Sequence, residues 1–108
     1  MAYSALRFSP RGEQIDKEEP FFEFDERCHL ELIAELETSQ TTFPLLARLR
    51  DPYGDADFHS GEIPALTVEA RRLATEAPSE TLRKELTRFA DTLQTLAGQS
   101  ANLCFLGD

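Results

Sequence analysis

The chain has 108 residues, 41% of them hydrophobic, with twenty acidic side chains against eleven basic ones and a net charge of −9. That length and composition fit a single domain spanning 1–108 with a packed core. The charge argues against a general nucleic-acid binder, because phosphate contact needs clustered Lys and Arg. No apolar run approaches the ~18 residues needed to span a bilayer.

The first segment, Ala2 to Phe8, reads as a short strand in which Tyr3, Ala5 and Arg7 alternate with Ser4, Leu6 and Phe8. The opening residues hold no export signal, so a cytoplasmic protein is expected. Pro10, Gly12 and the polar run to Glu19 read as a loop. Phe21-Phe22-Glu23-Phe24 either starts a second strand or leads into the first helix. Asp25 is a plausible N-cap for that helix, with Glu26 at its positive end. His29, Leu32, Ile33 and Leu36 then share one face, Glu31 and Glu35 point away from it, and the helix ends near Thr38–Gln40.

A short second helix is expected after Thr42-Phe43-Pro44, with Leu45, Leu46 and Leu49 on its apolar face. Asp51-Pro52-Tyr53-Gly54-Asp55 closes it, and Ala56-Asp57-Phe58 is a brief extended segment. Ser60 should cap a third helix through Ile63, Leu66, Ala70, Leu73 and Ala77. Pro78 interrupts it, and Ser79 should cap a fourth along Leu82, Leu86, Phe89, Leu93 and Leu96, stopped by Gly98. These last two form a helical hairpin. Leu103-Cys104-Phe105-Leu106 reads as a buried strand that pairs with the N-terminal one. The expected class is therefore α+β: about four helices, including a hairpin, and a small sheet from the N- and C-terminal strands.

The residues that invite chemistry are few. Cys28 and His29 are neighbours in sequence, but adjacent helix positions point roughly 100° apart, so no catalytic dyad is expected. His59 is remote in sequence from both cysteines. Cys28 and Cys104 are too few for a disulfide framework, and two reduced thiols are the default. The Asp51–Glu62 segment has acids where some calcium-loop ligands stand, yet Tyr53 replaces an oxygen ligand and Ala56 replaces the turn glycine. No metal and no cofactor are expected.

The acidic side chains are concentrated. Glu13 to Glu37 holds ten carboxylates against Lys17 and Arg27. Phe21, Phe22 and Phe24 sit inside that stretch, and three rings in four residues cannot all face one side of a strand. An aromatic beside carboxylates is a common design for a protein-docking surface. The candidate contact residues are Glu18, Glu19, Phe21, Phe22, Glu23, Phe24 and Asp25, with Asp55 and Asp57 from the second acidic segment.

In size, acidity and single-domain character the chain resembles the small bacterial immunity proteins, which neutralise toxin domains. That resemblance is of physical profile and transfers no residue by position. It implies a binding module that blocks a basic toxin or nuclease. The alternatives are a nucleic-acid mimic, a small enzyme gathering His29 or His59 with Cys28, Asp55 or Asp57, or a regulatory subunit that oligomerises through the Leu82–Leu96 stripe.

Overall fold

The computed structural model describes residues 3–38, 42–50, 54–96 and 98–106. It contains strands β1 (Tyr3–Phe8), β2 (Phe22–Phe24), β3 (Ala56–Phe58) and β4 (Asn102–Leu106), and helices α1 (Glu26–Thr38), α2 (Ile63–Glu76) and α3 (Glu80–Gln94). The strands form one antiparallel sheet in the order β2-β1-β4-β3. The α+β class stands, and β4 pairs with β1 as the sequence suggests. α1 ends at Thr38, within the expected Thr38–Gln40; Ser39 and Gln40 of that range, and Asp51, Pro52 and Tyr53 of the acidic segment, lie outside the described residues.

The strand alternation decides which face is covered. Tyr3 and Ala5 of β1, Phe22 and Phe24 of β2, Ala56 and Phe58 of β3, and Leu103 and Phe105 of β4 are all buried. They join Leu32, Leu36, Leu66, Leu86, Phe89 and Leu93 from the helices in one hydrophobic cluster. Phe105 is central to it, with ring centroids of Tyr3 at 5.3 Å, Phe89 at 5.7 Å, Phe24 at 5.9 Å and Phe58 at 6.1 Å.

Among the described residues, the expected four helices become three α-helices and two 3-10 segments. Leu46–Arg50 is too short for a helical ladder and winds as a 3-10 turn. Its first amides are satisfied from outside: the Glu69 carboxylate of α2 accepts from Leu45 N–H and Leu46 N–H, each at 3.0 Å. The third predicted helix starts at Ile63 rather than just after Ser60. Residues Ser60–Glu62 make a separate 3-10 turn. Their polar groups are engaged elsewhere, with Ser60 N–H on the Asn102 side chain at 2.9 Å and Glu62 accepting from His59 N–H at 3.0 Å.

The hairpin is as predicted. The Ser79 hydroxyl accepts from Leu82 N–H at 3.2 Å, capping α3. That same hydroxyl donates to Glu31 at 3.1 Å, so Glu31 faces α3 and not open water. Gly98 takes a positive φ of 81° just beyond the helix, which a side chain would disfavour. The stripe Leu82, Leu86, Phe89 and Leu93 is consumed by the core, which removes it as an oligomer face.

Candidate functional site

The other face of the sheet carries the alternate residues, and none of them belongs to the buried cluster. Strand register sets them in rungs. Ser4 lies opposite Glu23 on one side and Leu106 on the other. Leu6 lies opposite Cys104, which lies opposite Asp57. Phe8 lies opposite Asn102, with Gln14 bridging from the loop. Leu6 and Phe8 are partly exposed, and Leu106 is 39% exposed.

The result is an apolar stripe along the two central strands, with a carboxylate on each outer strand. Glu23 stands on β2 and accepts from the Ser4 hydroxyl at 3.3 Å. Asp57 stands on β3 beside the Cys104 thiol. Among the described residues, no lysine or arginine occupies these rungs. A depression of about 350 Å³ opens at one end, lined by Phe8, Asp57, His59, Asn102 and Cys104.

Both sheet edges are closed by arginine. Arg88 of α3 donates to the Glu23 carbonyl at 2.9 Å, lies 4.2 Å over the Phe22 ring and pairs with Glu85. Arg48 donates to the Asp57 carbonyl at 2.9 Å, lies 5.2 Å over the Phe58 ring and pairs with Glu62. Each guanidinium therefore covers the middle carbonyl of a three-residue edge strand. An unpaired edge carbonyl is what a foreign strand would otherwise use.

The predicted contact residues divide. Glu23 and Asp57 reach the open face from opposite flanks, and exposed Asp55 sits at the head of β3, near enough to act on Cys104. Glu18 and Glu19 are exposed on the loop before β2, and Asp25 is exposed before α1, its carbonyl accepting from His29 N–H at 2.9 Å. Phe22 and Phe24 are corrected: at 3% and 0% exposure they are core residues and offer a partner no surface. Phe21 is half-buried, with the Arg7 guanidinium 4.7 Å above its ring.

The acidic stretch is not one surface. Asp16 turns back on β1, where its carboxylate accepts from Arg7 Nη2 at 2.7 Å, Arg7 Nε at 3.0 Å and the Arg7 amide at 2.9 Å. These bonds hold Asp16 below the usual carboxylate range. Glu31 goes to the helical layer and Glu23 to the open face. The residues that sequence reasoning missed are Leu6, Phe8, Cys104 and Leu106. Their signal was present, because β1 and β4 carry apolar residues on both alternations. A sheet with helices on one side must leave one of those sets uncovered.

Cys104 and His59 line the same depression, whereas Cys28 and His29 are buried on α1. His29 is 4% exposed, stacked on Tyr3 at 4.1 Å, with Nε2 donating to the Leu49 carbonyl at 2.8 Å. Burial pushes the Cys28 thiol up, helped by Glu85, Asp25 and Glu31. Burial, with a hydrogen bond to Asp57, pushes Cys104 up to about 12. Thiolate is the reactive form, so alkylation of Cys104 at pH 7 is expected to be at least about tenfold slower than that of a free cysteine. Replacing Asp57 with asparagine should speed it. Rapid labelling of native protein, timed by mass spectrometry, would contradict this environment.

Among the described residues, no three His, Cys, Asp or Glu side chains group as metal ligands, and no helix is long and apolar enough to cross a membrane. A second groove of about 350 Å³ lies between α2 and α3, where Arg71 donates to Asp91 and Gln94. No family model, curated protein or solved structure matches the chain.

Proposed function

We propose that this protein is a binding module that docks a basic protein partner on the open face of its sheet. The supporting observation is the pattern of that face: an apolar stripe on β1 and β4, bordered by Glu23 and Asp57 on opposite flanks, with no cation among the rungs. Apolar contact at the centre supplies residence time, and the flanking carboxylates supply steering and reject acidic competitors. A chain of net charge −9 attracts basic proteins from a distance. In this it works as the small immunity proteins do, by covering a toxin or nuclease domain in the cytoplasm. A nucleic-acid mimic is less well supported, because a phosphate ladder is continuous charge and this face is apolar along its middle.

The experiment is affinity capture from native lysate with three baits: the wild type, Leu6→Glu and Asp57→Lys. The expected result is a partner of basic isoelectric point that is retained by the wild type, released by salt, and weakened at least about tenfold by either substitution. A partner that binds all three baits equally would place the docking surface elsewhere.

A further inference from the structure

We infer that the segment of the partner seated on this face is a cationic amphipathic helix of two to three turns. This rests on the docking surface argued above and adds the kind of element it takes.

The first argument is exclusion. A strand could join the sheet only at β2 or β3, and the guanidinium groups of Arg88 and Arg48 occupy the middle carbonyl of each. Strand addition works through main-chain hydrogen bonds at a free edge. Recognition is therefore by the face. A face is read by side chains, and a helix presents them along one stripe.

The second argument is dimension. From the Ser4–Leu106 rung to the Phe8–Asn102 rung is four residues of strand, about 14 Å at the strand rise. That matches about nine residues of helix. The four strands span three interstrand gaps, again about 14 Å. A helix with its side chains is about 10–12 Å wide, so one helix covers the stripe and leaves its flanks over β2 and β3.

The third argument is charge. Glu23 and Asp57 lie on the two sides of the stripe, not together on one. The matching helix has Leu-type residues on one face and Lys or Arg on both shoulders. The depression beside Phe8, Asn102 and Cys104 takes one larger anchoring side chain at the end of the stripe. A second copy of this chain meets the face with the same sign of charge and is excluded on that ground.

The test uses three labelled synthetic peptides of about 14 residues. One is built of Leu and Lys at helical spacing, one has the same composition in strict alternation, and one is built of Leu and Glu at helical spacing. Binding to the full chain is read by fluorescence anisotropy, and the contact surface by amide shift changes. The expected result is that the helical Leu/Lys peptide binds, gains helicity, and shifts residues around Leu6, Phe8, Asp57, Cys104 and Leu106. Leu6→Glu, and separately Glu23→Lys with Asp57→Lys, should weaken it at least about tenfold while leaving the thermal midpoint of the protein unchanged. Two variants guard against a folding defect in either.

Equal binding of the alternating peptide overturns the helix, as do shifts confined to other surfaces. If no peptide binds while the captured partner is still lost on Leu6→Glu, the helix is wrong and the docking face stands. If capture is also indifferent to Leu6→Glu, both fall. A dimer whose interface maps to this face would overturn the cationic occupant.

Discussion

Replacing Phe105 with alanine is expected to destabilise the protein by about 3–5 kcal/mol. Phe105 is fully buried, and its ring meets Tyr3, Phe24, Phe58 and Phe89, so it ties β1, β2, β3 and α3 together from β4. A domain of this size has about 5–15 kcal/mol in all, so the loss takes a large part of it. The next residue is the control. Leu106 points to the open face and is 39% exposed, and Leu106→Ala should fall within about 0.5–1 kcal/mol of wild type. Urea denaturation of the two variants compares adjacent residues of one strand. Similar costs would mean that the alternation assigned to β4 is wrong, and with it the docking face. Phe105→Leu, which leaves a smaller void, should recover much of the loss.

The same alternation explains what the sequence could and could not reveal. Ser79, the Leu82–Leu93 stripe and Gly98 are local signals, and each lands where the period and the capping chemistry put it. Pairing of β4 with β1 follows from two short apolar runs at the ends of the chain. The position of the Phe21–Phe24 rings does not follow. Clustering in sequence makes them look like a surface patch. A three-residue strand sends Phe22 and Phe24 inward and Glu23 outward, and only the sheet decides which side is inward. The edge closures are further out of reach, since Arg88 and the carbonyl it covers are 65 residues apart. Ser60 and the Asn102 side chain, 42 residues apart, set the start of α2 in the same non-local way. Acid count was also a poor guide to surface. Asp16 and Glu31 are counted with their neighbours in sequence, yet one is fixed to Arg7 and the other to Ser79.

Acidification is expected to unfold the protein in two stages with separate causes. His29 comes first. Its ring is buried against Tyr3 and Phe24 and donates to the Leu49 carbonyl. Burial holds its pKa below the ordinary 6.5, despite that bond. The neutral ring is thus favoured in the folded state, while the unfolded chain takes up a proton more readily. The stability this confers is present above pH 6.5 and is lost as pH falls below it. The second stage belongs to carboxylates. Hydrogen bonds from Arg48 and from the His59 amide lower Glu62 from 4.5 to about 2, and Arg7 lowers Asp16 from 3.8. Their stabilisation is complete above those ordinary values and disappears as pH falls through the lowered ones. Thermal midpoints measured from pH 7 to pH 2 should therefore begin to fall below the ordinary histidine value of about 6.5, and fall again below about 4.5. His29→Gln keeps an N–H donor near the Leu49 carbonyl without a titrating ring, and should flatten the upper step alone. Asp16→Ala should cost about 1.5–3 kcal/mol at pH 7, the range for hydrogen bonds to a charged group, and progressively less as pH falls through the lowered Asp16 pKa and the wild-type carboxylate takes up its proton. An upper step that persists in His29→Gln would assign it to another group. An Asp16→Ala penalty that persists after the wild-type carboxylate is shown by NMR to have taken up its proton would mean that Asp16 acts through packing, not through its charge on Arg7.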